Sequence, residues 1–314
     1  MAVSSTSSHC TAFSVQDLPA PPVGKRGWPW TVGTKLLPSR RSDGSLWPKL
    51  SIITPSYNQG RFLEATIRSV LLQGYPNLEY IIIDGGSSDE SVEVIRKYEP
   101  FLTYWVSESD DGQTAAINKG LVRSTGEYLG WLNSDDLYTK GAFGKAIGAF
   151  LKHPESIVVH GNRILLDADD RVFGCSPVPA FNPPHTNYVV CSETAFWSRG
   201  GMDKCGLLNP EFRFAMDLDY FSRLFMQGEF VKLADYLGYF RCHPLSKTST
   251  IWHVAEEESA KAWLRIFNDD WPGQGFELNR MDVLYEFLRH PFLIGIPYFQ
   301  TRIMKKLRLE IKHS

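Results

Sequence analysis

The spacing of apolar residues changes along the chain, and each change marks an element. Leu50-Ser-Ile-Ile-Thr54 is a short β-branched run closed by Pro55, which predicts a strand. Leu63, Ile67, Val70 and Leu71 then recur at i, i+4, i+7 and i+8, one face of a helix. Tyr80-Ile-Ile-Ile-Asp84 is a continuous apolar run, as in a parallel strand covered on both faces. Gly85-Gly86 turns the chain, and Ser87 or Ser88 stands where it can cap a helix from Asp89 to Tyr98. The alternation goes on with a strand at Thr103–Val106, a helix at Thr114–Val122, a strand at Glu127–Leu132, a helix over 139–152 and a strand over 157–159. Strands alternating with helices predict βαβ units, hence an α/β fold with a mostly parallel central sheet flanked by helices.

Beyond about residue 160 the pattern loosens. Residues 163–174 read as a hairpin, 177–187 as a Pro-rich loop and Leu218–Met226 as a helix. The tail from about 252 reads as helical, with Met281, Leu284, Tyr285 and Leu288 on one face. At the other end, residues 1–48 hold six of the 19 prolines, with Gly24, Gly27, Gly33 and Gly44 between them. That composition predicts an irregular arm. Trp28, Trp30 and Trp47 are large apolar anchors that a disordered tail rarely carries, so the arm is expected to wrap on the domain surface. The organisation expected is an arm over 1–48, an α/β domain over 49–250 and a helical extension over 251–314.

Composition narrows the class. With 43% hydrophobic and 22% charged residues in 314, the chain is ordinary for a globular protein and neither disordered nor collagen-like. A net charge of −2 provides no global field for a nucleic-acid backbone, so no nucleic-acid partner is expected. Cys10, Cys175, Cys191, Cys205 and Cys242 form no CxxC pair and no zinc spacing. They are expected as small core residues in a reducing compartment. No signal-peptide pattern opens the chain, and its longest apolar stretch, Pro291–Phe299, falls short of the ~18 residues of a membrane helix. A cytoplasmic protein is the expectation. Residues 302–312 carry five basic residues and one acid, with Ile303, Met304, Leu307 and Ile311 near one side. Two readings stay open there: a docking helix with a solvated face, or peripheral contact with the anionic inner face of a membrane.

Candidate chemistry gathers at strand ends, where open α/β sheets hold their ligands. One strand ends in Thr54-Pro-Ser-Tyr-Asn58, a second in Asp84-Gly-Gly-Ser-Ser-Asp89 and a fourth in Asn133-Ser-Asp-Asp136, with Asp110-Asp111 nearby. Such a set of carboxylates repels itself unless a cation or donor groups offset the charge. Asp135-Asp136 can offer oxygens to Mg²⁺ or Mn²⁺, which take one or two carboxylates plus substrate phosphates. A helix-capping turn is the simpler alternative. GxxxxGK[ST], GxGxxG and GxSxG are all absent, so a P-loop nucleotidase, a Rossmann dehydrogenase and an α/β-hydrolase lack support.

Four ordered segments carry a resemblance. Ser51-Ile-Ile-Thr-Pro-Ser-Tyr-Asn-Gln-Gly60, Asp84-Gly-Gly-Ser-Ser-Asp89, Asp111-Gly-Gln-Thr-Ala-Ala-Ile-Asn-Lys-Gly120 and Trp131-Leu-Asn-Ser-Asp-Asp136 resemble the family 2 glycosyltransferases over roughly residues 49–245. Gly27-Trp-Pro-Trp30 is similar to a subgroup of bacterial, polysaccharide-type members. The resemblance implies a GT-A fold and inverting transfer of a sugar from a nucleotide-diphosphate sugar, with uridine the base that family habit suggests. The acceptor it implies is a hydroxyl of a glycan or a lipid-linked glycan. By the same matching, Pro55, Tyr57 and Asp84 line the nucleobase pocket, and Asp111 and Asp135 approach the ribose and diphosphate. Asn58, Lys119 and Asn133 belong to the same binding set, and Asp136 holds Mn²⁺ or Mg²⁺. Asn133 stands where many members place another Asp. Asp217, in Phe214-Ala-Met-Asp-Leu-Asp219, aligns with the catalytic base, although Met216 replaces a usual Glu. His243 completes the metal shell or is hydrogen-bonded in its loop; Arg241 and Lys247 offset diphosphate charge or are solvated. Ser192-Glu193-Thr194 could face the acceptor. Two rivals remain: a sugar-nucleotide nucleotidyltransferase, and a family member that binds sugar nucleotides without turnover.

Overall fold

The computed structural model describes residues 12–183, 190–273, 285–286 and 288–299. Met281, Leu284, Cys10, the basic 302–312 stretch and part of the 177–187 loop lie outside them.

Among the described residues, nine strands form one sheet. They are β1 (Leu50–Ser56), β2 (Leu78–Asp84), β3 (Tyr104–Ser107), β4 (Tyr128–Trp131), β5 (Leu137–Tyr138), β6 (Val158–Leu166), β7 (Val172–Ser176), β8 (Ala195–Ser198) and β9 (Phe230–Arg241). Their order is β3-β2-β1-β4-β8-β6-β9-β5, with β7 paired to β6. The longest ladders are parallel: β1 on β2 from Leu50↔Leu78 to Ser56↔Asp84, and β6 on β9 from Val158↔Phe230 to Leu166↔Arg241. Shorter antiparallel pairings join β8 to β4 and β6.

Residues alternate across this sheet, as a strand period of two demands. Ile52 and Ile82 pack with Leu63, Ile67 and Val70 of α1 (Gly60–Leu71) and with Phe143 and Ile147 of α4 (Ala142–Lys152). Ile53 and Trp131 pack on the opposite side with Ile117 of α3 (Gln113–Arg123) and Tyr220 and Phe221 of α6 (Met216–Phe225). A Cβ on Gly120 would sit 2.5 Å from Ile53 Cγ2, so α3 closes on β1 only because this position has none.

Several expectations shift. Ser87 and Ser88 do not cap the helix expected from Asp89. That helix is α2 (Ser91–Tyr98), and Asp89 instead accepts from Ser91 N at 2.9 Å and, across the gap, from Gly60 N of α1 at 2.9 Å. The helix expected over 139–152 starts at Ala142, because Leu137–Tyr138 pair with β9. The strand expected over 157–159 runs on to Leu166 and forms the first arm of the expected hairpin with β7. Val178 and Phe181 are buried, so the segment that reads as a loop packs on the core. Cys175 and Cys191 are buried, whereas Cys242 is exposed, a correction to its expected core role.

The Trp-containing arm lies against the sheet domain. Trp30 is buried with Ala65, Leu137 and Ile164, and Trp28 Nε1 donates to Tyr138 O at 3.0 Å. The fully buried Arg68 of α1 reaches back to it, donating to Pro29 O (3.0 Å), Pro19 O (2.8 Å) and Trp30 O (2.7 Å). These bonds satisfy carbonyls of irregular backbone that no strand partner reaches. Arg68→Met should strand two buried carbonyls and one half-buried one and cost about 3 kcal/mol. A lower Tm and faster proteolysis within 12–48 would report it; an unchanged Tm would remove the clamp role.

Candidate active site

The carboxyl ends of β1, β2 and β4 open on a cleft of about 820 Å³. Pro55, near the end of β1, and Tyr57, just after it, lie on its wall, and Tyr57 is 63% exposed. Gly85 follows β2 onto the same wall. Asp84 does not reach it. Its buried carboxylate accepts from Ser87 N (2.9 Å), Ser87 Oγ (2.6 Å) and Ser107 Oγ (2.7 Å), and so shapes the turn that presents Gly85. Asn58 is likewise occupied: its Oδ1 accepts from Ser88 N at 2.8 Å, and its own N–H donates to Ser87 Oγ at 2.8 Å. Asp111 and Lys119 also lie off the wall, Lys119 in a 2.6 Å ion pair with Glu108. Of the Asp110–Asp111 pair, Asp110 is the one on the wall, and it accepts from Gly112 N at 2.8 Å.

After β4 the chain places Asn133, Asp135 and Asp136 at the cleft. The two aspartates differ. Asp136 is 1% exposed and accepts the Arg241 backbone N–H at 2.8 Å. Burial, with Asp135 and Glu193 as neighbouring acids, drives its carboxyl well above the usual range. Asp135 is the more open carboxylate, and its Oδ2 lies 3.0 Å from His243 Nε2. His243 is buried and packs on Phe62 with the rings tilted, centroids 4.7 Å apart. The histidine is therefore brought to Asp135, not to Asp136. Arg241, fully buried, donates to Asp135 O (2.7 Å) and Asp170 Oδ1 (2.7 Å), so it braces the floor and is not a solvated cation.

Asp217 lines the cleft from the first turn of α6. Burial pushes its carboxyl from 3.8 up to about 6, against the Leu218 N–H (2.8 Å) and the Lys247 charge, which pull it down. Asp219, one residue on from Leu218, is fully buried, pairs with Arg223 at 2.8 Å and lies off the cleft wall. Lys247, on α7 (Lys247–Thr250), is pushed down to about 8 by burial and donates to Gln113 Oε1 at 2.7 Å. Gln113 Nε2 in turn donates to Asn133 Oδ1 at 2.7 Å. A polar chain thus crosses the cleft from α7 through α3 to the end of β4. Nothing in the sequence motifs singled out Gln113.

Two further acids act at a distance in sequence. Glu193, on the cleft wall between β7 and β8, is 3% exposed, and burial raises its carboxyl. Its nearest cation is Arg163 Nη1 at 3.6 Å. Glu258, on α8 (Ala255–Phe267), accepts from the backbone N–H groups of Phe214 (2.6 Å) and Ala215 (2.9 Å). A helix of the C-terminal extension thus caps the segment that delivers Asp217.

Among the described residues no three His, Cys, Asp or Glu groups converge as a metal shell. Asp135 lines the cleft and His243 stands beside it, 3.0 Å from its Oδ2; one carboxylate and one imidazole suit Mn²⁺ or Mg²⁺ when substrate phosphates complete the shell.

A central sheet with acidic strand ends around one cleft, carried between helical layers, is the GT-A architecture. S. aureus TarS 1–349 in complex with UDP-GlcNAc superposes with a TM-score of 0.55 at 18% identity, over 78% of this chain and 73% of that one. A mannosyltransferase of Pyrobaculum calidifontis in complex with GDP-Man and Mn²⁺ does so with a TM-score of 0.55 at 16% identity, over 80% and 72%. Against another TarS chain the match spans only 44% of that chain's length. The Glycosyl transferase family 2 pattern matches residues 51–174. An uncharacterized glycosyltransferase of Mycobacterium tuberculosis is 32% identical over 179 residues, 56% of this chain and 68% of that protein. The chain belongs to glycosyltransferase family 2 and has the GT-A fold. Among the described residues, no helix is long and apolar enough to cross a membrane.

Proposed function

We propose that this chain transfers a sugar, with inversion, from a nucleotide-diphosphate sugar to a hydroxyl of a glycan or lipid-linked acceptor. The observation that carries the reading is one cleft lined by both Asp217, a carboxylate tuned toward neutral pH, and Asp135, whose Oδ2 lies 3.0 Å from His243 Nε2. The wall of Pro55, Tyr57, Gly85 and Asp110 receives the nucleoside. The acceptor hydroxyl gives its proton to Asp217 as its oxygen bonds to the anomeric carbon, on the face opposite the departing diphosphate. A carboxyl near pH 6 is a stronger base than an ordinary aspartate and is still ionised at neutral pH. The Lys247 ammonium offsets negative charge beside Asp217. A divalent cation held by Asp135 and His243 would supply charge compensation for the diphosphate leaving group. UDP is the first donor class to test, because the TarS neighbour binds UDP-GlcNAc.

Calorimetric titration with a panel of nucleotide-diphosphate sugars, with Mn²⁺ and then with chelator, tests this. One donor should bind tightly and lose affinity with chelator. No binding of any donor to folded protein would overturn the reading. Binding without turnover in an acceptor screen would make the chain a non-catalytic nucleotide-sugar binder.

The Glu258 cap gives a second check. Glu258→Ala frees the N–H groups ahead of α6 and should cost about 1–2 kcal/mol of stability. By letting Asp217 drift it should lower kcat about tenfold with donor Kd unchanged. Glu258→Gln, which retains an accepting oxygen, should recover most of the rate. Equal kcat in both variants and the native protein would limit Glu258 to a structural role.

A further inference from the structure

We propose that Glu193 reads the transferred sugar: its carboxylate accepts a hydrogen bond from a ring hydroxyl of the nucleotide-diphosphate sugar. This deepens the transfer reading and rests on it. Glu193 sits in a single 3-10 turn, Ser192–Thr194, that no step of the proposed reaction uses. The turn is locked in place. Thr194 N and Thr194 Oγ1 both donate to Cys191 O at 2.9 Å. β9 closes on the turn at Gly238, where a Cβ would lie 2.3 Å from Glu193 O and 2.9 Å from Glu193 Cγ. Only a residue without a side chain lets the strand and the Glu193 stem lie together there.

The carboxyl group is buried and unsatisfied. Glu193 is 3% exposed and lines the cleft, and its Oε1 accepts no hydrogen bond among the described residues. Arg163 Nη1 stands 3.6 Å from it, near enough to attract and too far to donate. The Arg163 guanidinium lies over the Phe240 ring, 4.8 Å from its centroid, which helps to fix its position. A buried carboxylate without donors is costly, so proteins keep few of them, and one on a cleft wall is a place for a ligand's donor. A sugar hydroxyl is a donor of the right kind and size.

Charge locates that hydroxyl on the donor. Glu193 and Asp135 repel each other, and the Glu193 charge also acts on Asp136 and on Asp217. Glu193 is therefore near both the diphosphate end of the cleft and the base. In an inverting transfer the sugar ring lies between the leaving group on one face and the base side on the other. A carboxylate within reach of both ends flanks the ring itself. A contact with the acceptor would call for nearness to Asp217 alone. The substrate class is then a nucleotide-diphosphate sugar whose ring carries a free hydroxyl at that place. A ring deoxygenated there would leave Glu193 buried and unpaired in the complex, and a site of this kind rejects such an analogue.

The test is calorimetry on the full chain with Mn²⁺, using UDP-glucose, UDP-galactose and UDP-GlcNAc against UDP, and GDP-mannose against GDP. Glu193→Ala should weaken the sugar nucleotide that binds by about tenfold to hundredfold, the weight of a hydrogen bond to a charged acceptor, and leave the bare nucleoside diphosphate unchanged. Glu193→Gln, which keeps an accepting oxygen in the same shape, should weaken it less. It should not lower the Tm of the free protein, because Oε1 has no hydrogen bond to lose. A deoxy analogue of the bound sugar that lacks the hydroxyl in question should bind the native protein and Glu193→Ala alike. Equal weakening of sugar nucleotide and diphosphate, or no weakening of either, would overturn the proposal. Unchanged donor affinity with an acceptor KM raised tenfold would overturn it in favour of a contact with the acceptor. No binding of any of these nucleotides to the folded native protein would overturn the transfer reading, and this inference with it.

Discussion

Asp217→Asn is expected to lower the transfer rate about 10³-fold and leave donor affinity unchanged. The amide keeps the shape and the bond from Leu218 N but cannot take a proton from an acceptor hydroxyl. In the native enzyme the rate should fall below pH about 6, where this carboxyl becomes protonated. The same shift has a sign for stability. A carboxyl raised from 3.8 to about 6 favours the folded state at low pH, and that contribution is lost as pH rises through about 6. Above that pH the ionised group costs roughly 1–2 kcal/mol, after allowance for its partial exposure. Asp217→Asn should therefore be inactive and raise Tm at neutral pH, and the gain should shrink toward pH 4. Thermal unfolding across pH with single-turnover kinetics measures both. Normal transfer would remove Asp217 as the base; a lower Tm would refute burial as the cause of its shift.

Asp135→Ala should raise the donor Kd in Mn²⁺ by about two orders of magnitude, to the value the native protein shows with chelator. Folding should be unaffected, because Asp135 is the more open of the two carboxylates. Asp136→Ala should act differently. It leaves the Arg241 N–H without its partner in a buried site and should cost about 1–3 kcal/mol of stability. Calorimetry and Tm on both variants separate the roles. If Asp136→Ala loses cation dependence at unchanged Tm while Asp135→Ala retains it, the roles are exchanged.

Much of the fold was legible because its first half is built of local signals. The apolar run of β2 and the i, i+4, i+7 face of α1 each carry their own period, and their alternation implies a mainly parallel sheet. The second half was less legible for a physical reason. β8 is only four residues long, and β9 mixes Lys232, Asp235 and Gly238 into a half-buried strand with no continuous apolar run. Their pairing with β6 is what makes them strands.

The site divides in the same way. The sequence by itself determined that carboxylates and small turn residues stand at the ends of β1, β2 and β4, since strand ends and turn chemistry are local. It determined the Asp217 position and the anchoring tryptophans of the arm. Only the tertiary structure decided the burial and the partners of each acid. Asp84 lies off the cleft and is held by Ser87 and Ser107; Asp136 lies at the cleft but is nearly fully buried and held by the Arg241 N–H; Asp110 and Asp135 line the cleft. Asp135 meets His243 across 108 positions, and Glu258 reaches back 43 positions to Ala215. A carboxylate's role depends on its burial and its partners. Those partners come from β9 and α8, which no spacing around the aspartate can announce.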